Sequence, residues 1–163
     1  FANLKDLYFY QNSATDRSKF DVVYDDGNTQ RTNLFAELNF NHAEKITFLA
    51  RGDYYNYSTD NIQVAYHRPT YRVMLNSSFF IYSKVMVQAD LIAQGGMKTL
   101  DLEKNQVVEI KPAVDLNAKA SYFLSPRASI FLKVNNILSN KYQVYLNYPV
   151  RGFQASVGFA WSF

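Results

Sequence analysis

The last eleven residues, Phe153–Phe163, read FQASVGFAWSF. Phe153, Ala155, Val157, Phe159, Trp161 and Phe163 form one alternate set, and Gln154, Ser156, Gly158, Ala160 and Ser162 form the other. Strict period-two alternation predicts a strand with one apolar face and one polar or small face. Its length matches the roughly 9–11 residues of a tilted membrane-crossing strand better than the about 5–6 of a globular one. The chain stops on an aromatic of the apolar face, where a soluble domain usually has a frayed, polar end. The pattern predicts an interface anchor there. A soluble sandwich strand that happens to end the chain is the alternative, which the remaining sequence must test.

Composition narrows the choice. The 163 residues are enough for one domain. Hydrophobic residues make up 48% of them, yet the mean hydropathy is only −0.25. No window approaches the roughly 18–20 continuous apolar residues of a membrane helix, which excludes a helical membrane protein. A barrel stays open, because its strands spend only alternate residues on lipid. Aromatics reach 17%, with 13 Tyr and 13 Phe, and interface girdles would use that excess. Cysteine is absent, so disulfides, thiolate metal sites and cysteine nucleophiles are not available. A net charge of +3 with scattered basic residues argues against a nucleic-acid partner. The first residues, FANLKDLYFY, already read as strand, so the expectation is a piece that starts inside something longer.

Further strands are predicted over Leu4–Gln11, Phe20–Tyr24, Arg31–Asn41, Ile46–Tyr57, Thr70–Tyr82, Val85–Gln94, Pro112–Leu124 and Ala128–Asn136. Asp25-Asp26-Gly27-Asn28 reads as a strong turn, and 13–30 is either one long loop with a hairpin or an extra strand. Connections alternate in length: short at 42–45, 82–84 and 125–127, long at 58–69, 95–110 and 138–151. Outer-membrane barrels keep short turns on the periplasmic side and longer loops outside. One strand face also carries more charge than a dry core tolerates. Glu37, Arg51, Asp53, Arg72, Asp90, Asp115, Lys119 and Lys133 are candidate lumen-lining residues. Unpaired, each buried charge would cost several kcal/mol, about what a wet lumen removes. The solvated outer face of a soluble antiparallel sheet is the competing reading. With Phe163 at the periplasmic end, the long loops are extracellular. Tyr54, Tyr55 and Tyr57 then sit at the outer interface, with Tyr142, Tyr145 and Tyr148, and Trp161 and Tyr122 sit at the inner one.

The final strand resembles the C-terminal strand of Gram-negative outer-membrane barrels, read by the barrel-assembly machinery. Phe153, Val157, Phe159, Trp161 and Phe163 are the candidate assembly signal. Asn135-Asn136-Ile137-Leu138-Ser139-Asn140-Lys141-Tyr142 is similar to the run before the last strand of TonB-dependent outer-membrane receptors. Asn147-Tyr148-Pro149 and Arg151-Gly152 match the loop that follows it, and Ala65-Tyr66-His67-Arg68-Pro69 also resembles that family's barrel. The resemblance implies an all-β, antiparallel transmembrane barrel in the cell outer membrane. Residues 1–163 would be a single barrel segment of about 8–10 strands, the C-terminal part of a 22-stranded barrel. No plug-like segment or energy-coupling box is found. The implied function is energy-coupled uptake of a nutrient: siderophore, cobalamin, glycan or peptide. Implied partners are outer-membrane lipid, the assembly machinery, TonB-type coupling through a plug absent from this chain, and a surface lipoprotein. Two alternatives remain: a small complete eight-stranded barrel acting as anchor or adhesin, and a soluble β-protein.

No enzymatic set emerges. The carboxylates lie on different strands, and solvation or pairing with Arg51, Arg72, Lys119 and Lys133 is the favoured account of them. His42 in a turn and His67 in a loop lack metal-ligand spacing and read as surface residues. Ser77-Ser78 has no histidine in register, and Gly95-Gly96 opens no helix. No cofactor or metal is expected. Tyr57, Tyr66, Tyr142, Tyr145 and Tyr148 are candidate extracellular loop aromatics; stacking on a ligand is possible chemistry for them, with a girdle role favoured.

Overall fold

A computed structural model describes every residue except Arg17, Ser18 and Glu44. Eight strands form one antiparallel meander. They are β1 (Ala2–Asn12), β2 (Phe20–His42), β3 (Ile46–Ser58), β4 (Tyr71–Ile81), β5 (Val85–Gly95), β8 (Ala113–Ser125), β9 (Ala128–Asn135) and β12 (Gln154–Trp161), in that spatial order. Two small hairpins, β6 (Lys98–Asp101) with β7 (Gln106–Glu109) and β10 (Gln143–Tyr145) with β11 (Tyr148–Pro149), sit within long connections. β1 and β12 do not pair, so the sheet is open. The architecture is an open, all-β antiparallel sheet.

Register sorts the side chains into two faces. Residues directly opposite one another in a ladder share a face. One such row runs Phe40, Phe48, Ser77, Ala89, Ala118, Val134 and Ala155 across seven strands. The neighbouring row runs Leu38, Ala50, Leu75, Leu91 and Leu116. These side chains point away from the protein: Leu38 is 61% exposed and Val157 80%. The opposite face carries Asn39, Leu49, Asn76, Asp90 and Asn117 in one row, and Thr47, Ser78, Gln88, Lys119, Lys133 and Ser156 in another.

The short connections are tight. Lys45 N–H donates to the His42 carbonyl at 3.0 Å, and Tyr82 and Ser83 both take positive φ. Two successive positive-φ residues are the geometry of a type I′ hairpin, whose twist matches that of its strands. The turn at 42–45 includes Glu44, which lies outside the described residues.

Three expectations are corrected. Asp25–Asn28 is not a turn: β2 runs unbroken through it, pairing with β1 from Arg31 back to Phe20. The Asp25 carboxylate, which in a turn would bond its own backbone, is fully buried and reaches another loop. The irregularity there is a bulge in which Asp26 and Gly27 of β2 together oppose Asp6 of β1, whose φ is 52°. The last strand is shorter than eleven residues, ending in pairing terms at Trp161, and Phe163 stands fully exposed beyond it. The connections 95–110 and 138–151 are not bare polar loops, since each holds a hairpin.

The buried apolar cluster sits at the long-loop end of the wall, where β8 begins. Met97, Ile110 and Ala113 are buried together, with Tyr142 and Leu146 packed on them. All five belong to the long-loop end of the sheet.

Candidate functional site

Two regions carry the candidate chemistry. The first is the polar face of the wall. Glu37, Arg51, Asp53, Arg72, Asp90, Asp115, Lys119 and Lys133 all lie on it, because the ladder places Glu37 opposite Arg51, Asp53 opposite Arg72 and Lys119 opposite Lys133. Arg51 sits two residues before Asp53 on β3, so both side chains point the same way. Its guanidinium donates to Asp53 from Nε at 2.8 Å and from a terminal nitrogen at 3.0 Å, and to Glu37 at 3.3 Å. It also lies 4.6 Å over the Phe35 ring, and Asn33 Nδ2 donates to Asp53 at 3.3 Å. A planar fork gripping one carboxylate with two bonds is the stronger form of such a pair.

The remaining carboxylates are engaged separately. Asn76 Nδ2 donates to Asp90 at 2.7 Å, and the Tyr142 hydroxyl donates to Asp115 at 3.2 Å. No two carboxylates share a proton-sized gap in these contacts. The arrangement offers fixed hydrogen-bonding and charged groups to whatever lies against the face. Lys119 and Lys133 meet as like charges across β8 and β9, a mildly destabilising pair unless something acidic or wet faces them. Lys119 gains partial relief 4.8 Å over the Phe131 ring. Arg72 Nε and Asp115 Oδ1 are buried with no hydrogen-bond partner among the described residues.

Phe153, Val157, Phe159 and Trp161 share the opposite, apolar face, where Phe159 and Trp161 stack at 6.3 Å. Gly158 lies on the polar face directly beneath the Phe131 ring, which occupies the space a Cβ there would need. That close approach requires glycine.

The second region is the outer loop cluster, and here side chains depart from their expected places. His67 is not a surface residue. It is 7% exposed, with Nδ1 2.8 Å from the Tyr10 carbonyl and Nε2 accepting from Leu146 N–H at 3.4 Å. Its ring lies 4.8 Å from that of Tyr145, which in turn lies 5.0 Å from Phe20. Burial pushes the imidazole below its ordinary value of 6.5, and the Tyr10 carbonyl partly opposes that.

The loop tyrosines are likewise packed more than displayed. Tyr66 is buried and bridges to Lys98, and Tyr148 lies 4.8 Å from Phe20. Burial raises the Tyr142 phenol, and the charge of Asp115 raises it further. Tyr57 stacks on Tyr55 at 6.3 Å on the polar face, while Tyr54 points outward, so these three do not form one girdle.

Asp25 is the anchor of the β3–β4 loop. It accepts from the Thr29 hydroxyl at 2.6 Å and from the backbone N–H groups of Asn61 at 2.7 Å and Asp60 at 3.2 Å. Burial alone would raise this carboxyl, but those donors outweigh it and hold the acid below 3.8. Asn136 plays the same part before β12. Its amide donates to the carbonyls of Asn140 and Arg151 and accepts from Asn140 N–H. The run Asn135–Tyr142 singles out Asn136 in the sequence; Asp25 and His67 carry no local signal beyond their residue types.

Among the described residues no cluster of His, Cys, Asp or Glu could hold a metal ion. No protein-family model matches the chain, and no curated protein does. Solved structures match its fold. A P. aeruginosa FpvA structure bound to heterologous pyoverdines superposes with a TM-score of 0.75 at 12% identity, over 99% of this chain and 24% of that one. The ferripyoverdine receptor of the P. aeruginosa outer membrane, bound to ferripyoverdine, gives 0.72 at 13% identity over 99% and 24%. The siderophore receptor PiuA from Acinetobacter baumannii gives 0.65 at 15% over 82% and 22%. The chain thus spans less than a quarter of the length of these three receptors. The fold they share with it is an antiparallel β-barrel wall.

Proposed function

We propose that this chain is barrel wall, with its outer loops, of a TonB-dependent receptor in the outer membrane, and that the protein takes up a nutrient by energy coupling. The observation that carries this reading is the two-faced sheet. An apolar face points outward across seven strands, backed by a face of asparagines and charges, and the whole matches the wall of ferripyoverdine receptors. A lipid-facing girdle and a wet interior account for both faces at once. The open edges of the sheet favour a wall continued by other strands over a closed eight-stranded anchor.

The eight charged residues of the polar face line the lumen in this reading and meet a plug. Phe153, Val157, Phe159, Trp161 and Phe163 serve assembly. The relatives in structure are named for siderophores, so an iron–siderophore complex is the first substrate to test, ahead of cobalamin, glycans and peptides. The experiment is uptake of a radiolabelled ferric siderophore panel by cells producing the protein, with and without the TonB motor. Motor-dependent accumulation is the expected result. Correct surface insertion with no motor-dependent uptake of the siderophore panel, nor of labelled cobalamin, glycans and peptides in the same assay, would overturn transport in favour of an anchor or adhesin.

A further inference from the structure

The His67 ring joins three segments distant in sequence: the end of β1 at Tyr10, its own β3–β4 loop, and the β10–β11 hairpin at Leu146. A carbonyl only accepts, so Nδ1 carries the hydrogen that goes to Tyr10. A backbone N–H only donates, so Nε2 presents its lone pair to Leu146. One neutral tautomer satisfies both, and the protonated ring cannot, because it would set an N–H against the N–H of Leu146. We propose that protonation of His67 unties the β10–β11 hairpin from the β3–β4 loop, so that the outer loop cluster opens in acid.

The surroundings favour the neutral ring. The titratable and charged groups on the elements packed around it are Lys5, Asp6, Tyr8 and Tyr10 of β1, Asp60, Tyr66 and Arg68 of the loop, Lys98 and Asp101 of β6, and Tyr145 and Tyr148 of the hairpin. Arg68 follows in the chain and lies 5.7 Å over the Phe9 ring, and the Lys98 carbonyl accepts His67 N–H at 2.9 Å. Asp101 pairs with Lys104 at 3.3 Å and accepts backbone N–H groups of its own turn. Among the described residues no carboxylate forms an ion pair with the imidazole. With its value lowered by burial, the tie is intact above pH 6.5 and is lost as pH falls through the lowered value. The protonated ring keeps its Nδ1–H bond to Tyr10, so the β3–β4 loop stays on β1, and the hairpin, held to β1 by the Asn12 Nδ2 bond to the Leu146 carbonyl at 2.9 Å, is the part that tips away from it.

The test is a distance between spin labels at Gln63 and Asn147, both exposed, on the protein purified from outer membrane in detergent. A single distance at pH 8 and a second, longer population at pH 5 are expected. His67→Asn, which retains a donor near Nδ1 and cannot be protonated, should give the same distance at both pH values. An unchanged wild-type distance at pH 5, or an equal shift in His67→Asn, overturns the proposal. Should that variant fail to assemble, ¹⁵N-histidine spectra of the wild-type protein read the ring directly, the His67 signal being the one broadened by a spin label at Asn147. An Nδ1–H tautomer at pH 7 that becomes charged only below 6.5 supports the latch; an Nε2–H tautomer, or half-protonation at or above 6.5, removes it. The latch does not depend on what the receptor carries, so its failure would leave the uptake reading intact.

Discussion

Val157 in the wall is 80% exposed, and Met97 in the outer cluster is wholly buried, although both are apolar. The wall places its apolar side chains on the outside and holds itself together by backbone pairing. The cluster does the opposite, with a small dry centre of Met97, Ile110 and Ala113 and polar ties around it. In the proposed reading lipid completes the burial of the first region, whereas the protein itself completes that of the second. Damage to one region should therefore spare the other.

Met97→Ala should have the largest effect. A fully buried long side chain cut to a methyl typically costs about 2–5 kcal/mol. The expected outcome is accelerated hydrogen exchange at Ile110, Tyr142 and Leu146, with β3–β5 protection unchanged; a uniform loss across the wall would show the two regions are one folding unit. Leu132→Arg comes next. Leu132 pairs with Ala120 and Val157 on the apolar face, and a cation near mid-bilayer costs roughly 2–4 kcal/mol. Unfolding in lipid vesicles should show that loss, while Lys133→Gln next to it on the polar face should stay within about 0.5 kcal/mol.

Gly158→Val sharpens the contrast within β12 itself. Valine there collides with the Phe131 ring, at about 1–3 kcal/mol for overpacking, and Phe131→Leu in the same chain should recover most of it. Val157→Ala, one residue away but facing lipid, should not depend on Phe131. Asp25→Asn should cost about 1–3 kcal/mol, confined to the β3–β4 loop, read as faster proteolysis at 58–62 with heat-modifiable gel mobility unchanged. Smallest is Asp90→Asn. It keeps its hydrogen bond to Asn76 and loses only charge, so stability should hold while uptake shifts if the polar face lines the path.

The same contrast decides what could be read from the sequence. The wall was legible because lipid on one side and water on the other force alternation of period two, as in Phe48, Ala50 and Gly52 against Thr47, Leu49 and Arg51. All eight charged candidates fall on one face for that reason. The outer cluster was not legible. His67 and Tyr66 are buried by segments 79 residues and 32 residues away in sequence, Leu146 and Lys98, and no local pattern encodes such meetings. Asp25-Asp26-Gly27-Asn28 misled for a related reason: turn-forming residues stay extended when a neighbouring loop satisfies the carboxylate better than a turn would.

The two-residue alternation of the wall also restricts how such a chain can change length over time. Removing one residue from the middle of β5 would turn every later side chain of that strand through the sheet, setting Asp90 toward lipid or Leu91 toward water. Strands can therefore lengthen or shorten only by even numbers, or by hiding the odd residue in a bulge such as that at Asp26-Gly27 of β2. The outer connections obey no such arithmetic. A lineage can add or delete residues at 102–105 and keep every face of the wall, which makes such loop tips the part of the molecule free to diverge.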